Sequence, residues 1–343
     1  MKKFHIQWHI TSLCNLRCKH CYQENFDASQ DICFSDIKKL FNNLSSFLAK
    51  NNLKLTIDIT GGEPLLHPDF WKILEMLEDS DIVESCGIIT NGTLINQDIL
   101  KKLNCFSKLR TLKVSCEAME KATFEYFRNF PFERFLHILE IISRFDREKL
   151  IMFTLLELNV NQIPLLFDTV EKYGLNGFIV ERFFPLGAGK QLEDFTISRK
   201  TWKHVTEKLL EMCGIPVNLE LVSEHRGFKI IRNKNEWEIF GAVCVRGKNG
   251  CAIMHDGWVF PCRRFPLKIA NVLNEPFCEI WKKNPLRKIS RKNLKGSCGS
   301  CRIKRCIGCR ALAYVIYGDY LAEDPLCFLS DKAILKPIVK NSI

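Results

Sequence analysis

The chain has 343 residues, 46% of them hydrophobic, which is enough for one large domain and a smaller companion. Its opening, MKKFHIQWHI, goes straight into an alternating pattern, and nowhere does an apolar run reach the roughly eighteen residues of a membrane span. No secretory signal and no membrane insertion are expected, and a cytoplasmic protein is. Net charge is +11, and the seventeen cysteines, an odd number, exclude complete internal disulfide pairing and point to metal in a chain of this length.

The first predicted strand is Phe4 to Ile10, followed at once by the loop TSLCNLRCKHCY, with Cys14, Cys18 and Cys21 at spacing C-x3-C-x2-C. A helix follows whose apolar face is Ile37, Leu40, Phe41, Leu44, Phe47 and Leu48, with Ser35 or Asp36 as the expected cap. The second strand, 55–59, runs into TGGEP (Thr60 to Pro64), and a helix is expected over 69–79. The third strand, 86–90, ends in TNGT (Thr90 to Thr93), with a helix over 96–103. The fourth strand is 111–115, with a helix over 132–145 before the fifth, 150–155. A helix over 161–174 precedes the sixth strand, 177–182, and 197–214 reads as one more helix. These strands are short, apolar and β-branched, as buried parallel strands are.

Six strand–helix repeats predict a parallel sheet with right-handed crossovers. A complete eight-fold barrel needs about 250 residues, more than this region holds, so the expected fold is α/β, a partial (β/α)6 barrel with its ligands at the C-terminal ends of the strands. Near residue 240 the texture changes to turns and cysteines. The expected division is a barrel over 1–240 and a cysteine-rich domain over 241–343.

Thiolates bind iron–sulfur clusters, and a four-iron cluster usually takes four of them. Three close cysteines hold three irons and leave the fourth open, the mark of a site that works on a bound ligand. C-x3-C-x2-C with an aromatic residue, His20, before the last cysteine resembles the signature of the radical S-adenosylmethionine (radical SAM) superfamily. That resemblance implies a [4Fe-4S] cluster on Cys14, Cys18 and Cys21 whose open iron binds S-adenosyl-L-methionine. It also implies a 5′-deoxyadenosyl radical that abstracts a hydrogen atom. Gly61, Gly62, Glu63 and Pro64 match the family motif that binds the methionine amino group, and Asn91 stands in a second family element. At strand four the family often has Ser followed by an acidic residue; Ser115 is carried over, with Glu117 nearby. Arg182, ending strand six, is the expected partner of the cofactor's carboxylate or ribose.

Eight cysteines remain in the last third: Cys244, Cys251 and Cys262, then Cys298, Cys301, Cys306 and Cys309, then Cys327. Together with the hairpin DGWVFPCRR they resemble the SPASM extension of radical SAM enzymes, which implies two auxiliary [4Fe-4S] clusters and three clusters in all. The family's interleaved order assigns Cys244, Cys251, Cys262 and Cys309 to one and Cys298, Cys301, Cys306 and Cys327 to the other, although the spacing C-x2-C-x4-C-x2-C departs slightly from the family's. From Lys282 to Arg310 the chain carries eleven Lys or Arg and no Asp or Glu, a run expected to stabilise these anionic clusters and not to bind nucleic acid. Among the other cysteines, Cys116 at the barrel mouth is singled out as reactive.

The resemblance implies an enzyme that modifies a peptide or protein, by crosslinking or side-chain oxidation, with an electron donor such as flavodoxin or ferredoxin. No separate leader-binding module is expected ahead of strand one, and an extended peptide would pair with an exposed strand edge of the barrel. The alternative is a tetrapyrrole side-chain decarboxylase of haem synthesis. A non-catalytic electron carrier would explain neither TGGEP nor the open iron.

Overall fold

The computed structural model describes residues 2–242, 244, 247–303 and 306–329. The expected parallel strands are all present, five of them a little longer than expected and the sixth with the expected bounds. They are β1 (Lys2–His9), β2 (Leu53–Thr60), β3 (Val83–Thr90), β4 (Leu109–Ser115), β5 (Glu148–Leu155) and β6 (Gly177–Arg182). They pair in sequence order, every pair parallel. Between them lie α1 (Phe34–Lys50), α2 (Phe70–Glu78), α3 (Gln97–Asn104), α4 (Lys121–Arg128), α5 (Phe132–Ile142) and α6 (Ile163–Tyr173), and after β6 comes α7 (Arg199–Met212). The fold is a partial (β/α)6 barrel.

The alternation in β1 shows how the barrel is built. Phe4, Ile6 and Trp8 are buried on the outer face, where the Phe4 ring meets Phe47 of α1 at 5.7 Å. Cys33, not Ser35 or Asp36, is the N-cap residue of α1, and it makes no side-chain capping bond; all six predicted face residues are buried. On the inner face His5 meets Thr56 at 3.0 Å, and Lys113 of β4 donates to Asp58 of β2 at 2.6 Å. The barrel lumen is thus polar, and its oily layer lies between sheet and helices.

The chain after β6 extends the same sheet in both directions. After a short α8 (Leu219–Val222), the hairpin β7 (Gly227–Asn233) and β8 (Glu236–Gly241) adds antiparallel to β6. Then β9 (Gly250–Ile253) runs parallel to β1, followed by β10 (Trp258–Phe260) and β11 (Ala270–Asn271). Among the described residues the sheet has eleven strands, ordered β11-β10-β9-β1-β2-β3-β4-β5-β6-β7-β8. Helices α9 (Phe277–Lys283), α10 (Gly296–Ser300) and α11 (Arg310–Tyr317) complete the C-terminal region. Phe277 and Trp281 of α9 pack edge-on against Phe4, so the extension shares the barrel's core.

The edges of β1 and β6, expected to be open to a peptide, are therefore covered by β9 and β7. No helix among the described residues is long and apolar enough to cross a membrane.

Candidate functional site

The loop after β1 has no regular structure and is held from several sides. Ser12 N donates to Asp31 at 3.0 Å, and Gln23 Nε2 donates to the Ser12 carbonyl at 2.8 Å. Lys19 N bonds Phe127 O of α4 at 2.9 Å, and Gly189 N bonds Cys21 O at 2.7 Å. On the inner side the backbone of TGGEP docks on the loop: Gly62 N to Thr11 O and Glu63 N to Leu13 O, both 2.8 Å. A Cβ on Gly62 would lie 2.3 Å from the Leu13 carbonyl oxygen, so glycine is needed there for the approach of the cysteine loop itself.

Cys14, Cys18 and Cys21, on the loop after β1, line one cavity with residues from the C-terminal ends of β2 to β6: Thr60, Asn91, Ser115, Thr154 and Arg182 among them. Burial raises the Cys14 thiol, takes Cys18 up to about 12 and Cys21 up to about 11, so metal binding there must release protons. Asn91 Nδ2 stands 3.8 Å from Cys14 Sγ, and Gln23 N donates to Cys21 Sγ at 3.4 Å. His20, Gly61 and Gly62 also face this cavity.

Glu63 and Pro64 do not. Glu63 is fully buried and accepts from Thr90 Oγ1 at 2.7 Å and Asn91 N at 2.8 Å, fixing the TNGT turn; burial lifts its carboxyl to about 7 despite these bonds. Pro64 opens a short 3-10 turn behind it.

The sequence reading lacked Arg128 of α4. Its guanidinium holds Glu117 by two bonds, 2.6 and 3.0 Å, and Glu117 also meets His20 Nε2 at 3.0 Å. Burial alone would raise Glu117, but Arg128 and His20 outweigh it and bring the carboxyl down to about 2. The other ring nitrogen of His20 is buried and has no hydrogen-bond partner among the described residues. Arg182 is buried, stacks 4.5 Å from the Trp202 ring centre and pairs with Asp324 at 3.2 Å.

Two further cavities gather the remaining eight cysteines. One is lined by Cys244, Cys251, Cys262 and Cys309, the other by Cys298, Cys301, Cys306 and Cys327. Among the described residues no three His, Cys, Asp or Glu side chains close on a single metal ion. N–H groups point at the sulfurs: Gly308 N to Cys306 at 3.4 Å, Asp324 N to Cys298 at 3.3 Å, Leu312 N to Cys309 at 3.5 Å. Such donors suit thiolates carrying a cluster's negative charge. Thiols alone, set around a cavity and met by N–H groups, are the donor set an iron–sulfur cluster requires.

The basic run contributes less than expected. Lys282, Lys283 and Lys295 pair on the surface with Glu279, Glu275 and Asp319. Among its described residues, Arg310, 3.6 Å from Cys298 Sγ, and Arg291, on the carbonyl of Cys306 at 3.1 Å, turn toward the cysteines. Arg226, outside the run, reaches Cys306 Sγ at 2.6 Å. Cys116 is not reactive: its thiol is fully buried, donates to Ala118 O at 2.9 Å, and burial pushes it far up.

Residues 8–170 match the model of the Radical SAM superfamily, and residues 244–306 match SPASM, an iron–sulfur cluster-binding domain. The AdoMet-dependent heme synthase of Methanosarcina barkeri is 28% identical over 94% of this chain and 95% of its own. The protein of the same name from Nitratidesulfovibrio vulgaris is 28% identical, over 94% and 91%. Streptococcus suis SuiB, solved bound to precursor peptide SuiA, superposes with a TM-score of 0.71 at 18% identity, covering 95% of this chain and 76% of that one. The three-cysteine loop at the barrel mouth, the cysteine-rich extension and these matches make the chain a radical SAM enzyme with a C-terminal SPASM domain, a family that works with S-adenosylmethionine and [4Fe-4S] clusters.

Proposed function

We propose that the enzyme acts on an iron tetrapyrrole and converts propionate side chains to vinyl groups, as a haem-synthesising decarboxylase. The observation that carries this is the similarity to heme synthases along nearly the whole chain, barrel and extension together. The expected docking of a peptide on an edge of the six-stranded barrel meets β7 and β9, which cover β6 and β1. The likeness to SuiB supports the fold only.

Each propionate loses one hydrogen atom, one electron and carbon dioxide, which leaves a vinyl group. When bound, the cluster on Cys14, Cys18 and Cys21 with S-adenosylmethionine supplies the radical that takes the hydrogen, and two auxiliary clusters supply electron transfer. The chain's residues hold and enclose these groups. Asn91 and Gln23 N place hydrogens against the first-site sulfurs. Gly61, Gly62 and Ser115 offer the methionine moiety its wall, and Arg128, through Glu117, fixes the ring of His20. Phe183, Phe184 and Tyr22 make the apolar part of the cavity that keeps water from a radical. Flavodoxin or ferredoxin is the proposed electron donor.

Anaerobic incubation with iron-coproporphyrin III, S-adenosylmethionine and a reductant tests the reading. Products lacking carbon dioxide and two hydrogens per side chain are expected by mass spectrometry, with 5′-deoxyadenosine formed alongside. 5′-Deoxyadenosine without any change in the porphyrin would refute it.

A further inference from the structure

Glu181, Arg182, Phe184, Arg263 and Arg264 line both the cavity of Cys14, Cys18 and Cys21 and the cavity of Cys244, Cys251, Cys262 and Cys309. They form a shared wall between the place where hydrogen is taken and the nearer auxiliary set. Two features of this wall are unusual. Arg263 and Arg264 are adjacent in sequence, both are largely buried, and both reach the same oxygen of Glu181. Neither guanidinium makes another hydrogen bond among the described residues, and both line the two cavities; the backbone N–H of Arg264 bonds the Cys262 thiol.

Among the described residues Glu181 is the one carboxylate that the two guanidiniums reach: Lys113 holds Asp58, which acts on Arg263 from further off, and neighbouring His9 is kept neutral, because burial, then Arg263 and His255, push it down to about 3. Two forks on a single carboxylate oxygen leave hydrogen-bonding capacity for a further anion. The planar forks are also held ready: Arg263 lies 5.6 Å from the Tyr22 ring centre and Arg264 5.2 Å from that of Phe184. Cys262 adjoins the pair, and thiolate charge there would answer part of theirs. The forks that face the barrel cavity remain.

We propose that Arg263 and Arg264 are a carboxylate clamp, which grips one propionate of the tetrapyrrole between the hydrogen-abstraction site and the nearer auxiliary site. The clamp rests on the tetrapyrrole reading and adds to it a named subsite. Guanidinium forks bind carboxylates by paired parallel bonds, which fix orientation as well as affinity. A substrate held at that wall would lie between the two redox centres its reaction needs.

The test uses the anaerobically reconstituted holoenzyme, titrated with iron-coproporphyrin III and with its tetramethyl ester while the Soret band is followed. The acid should bind more tightly than the ester. Arg263→Met and Arg264→Met should each weaken acid binding by roughly tenfold or more, the scale of one charge-assisted hydrogen bond, and leave ester binding unchanged. If a methionine variant loses iron, Arg→Lys keeps the charge beside Cys262 without the fork; with iron restored, acid affinity must still fall roughly tenfold. Unchanged acid affinity in iron-replete variants would overturn the clamp and leave the tetrapyrrole reading standing. Weakened S-adenosylmethionine binding with unchanged porphyrin binding would reassign the pair to the cofactor. No saturable porphyrin binding by the wild type would overturn both readings.

Discussion

Glu117 shows what one buried carboxylate does beside a cysteine loop. It answers Arg128 on one side and the His20 ring on the other, so a helix, a strand end and the loop share one charge centre. Glu117→Gln keeps the shape but leaves the buried Arg128 without its counter-charge. Stability should fall by about 3 kcal/mol, read as a lower urea midpoint of the reconstituted protein. An unchanged midpoint would show that the three groups do not act as a unit. Strand-end residues were legible here because strands announce where they stop: Ser115, Asn91 and the three cysteines all face the cavity. Arg128 was not, because it sits on a short helix in which only Phe124, Phe127 and Arg128 are buried. Glu63, expected to meet the cofactor, lies outside the cavity lining. A carboxylate after two glycines looks ready for a ligand, yet here it answers the N–H of Asn91 and the hydroxyl of Thr90.

Elements were legible in proportion to how local their reasons are. Of the parallel strands, β1, β2 and β4 alternate and β3, β5 and β6 carry continuous buried stretches, on β3 from Cys86 to Thr90, and each reads from its own residues. Strand β9 has four residues, and its partner, β1, lies more than two hundred residues earlier, so nothing local marks it. The β7–β8 hairpin turns through Lys234 and Asn235, the former at φ 56°, a conformation that Lys seldom signals. The TGGEP segment is an element whose geometry can be broken by one atom. Gly62→Ala sets a methyl against the Leu13 carbonyl, and backbone cannot swing away as a side chain can. The loop carrying Cys14 should shift. Iron per chain should fall by about a third from the roughly twelve expected of three four-iron clusters, and 5′-deoxyadenosine formation should stop. Far-UV circular dichroism should be retained, since the helices and sheet do not depend on that contact. Full iron with normal cofactor cleavage would show that the close approach is not required.

At the scale of the molecule, one carboxylate ties the barrel to its extension. Asp324 is fully buried and lies between Arg182, the last residue of β6, and Arg226, which precedes β7. It accepts from Cys309 N at 2.8 Å, its own N–H meets Cys298 Sγ, and Arg226 continues to Cys306. One residue thus meets the barrel wall through its side chain and a cysteine of each set of four, Cys309 through its carboxylate and Cys298 through its N–H. Burial by itself would raise its carboxyl, but the two guanidiniums and the N–H groups of Cys309 and Leu326 outweigh burial and hold it well below the usual carboxylate range. A carboxyl lowered in this way contributes its stabilisation above its unfolded value near 3.8 and loses it only as pH falls toward the folded one. At neutral pH the tie is fully made. Asp324→Asn leaves two buried guanidiniums without an anion and should cost about 3–5 kcal/mol, concentrated where the C-terminal segment docks. The expected result is loss of iron from the Cys298, Cys301, Cys306 and Cys327 site, with the barrel cluster and uncoupled cleavage of S-adenosylmethionine retained. Iron counts and the electron paramagnetic resonance of the reduced protein distinguish the sites. If the variant kept all its iron, or lost the barrel cluster first, Asp324 would not be the joint between the two halves.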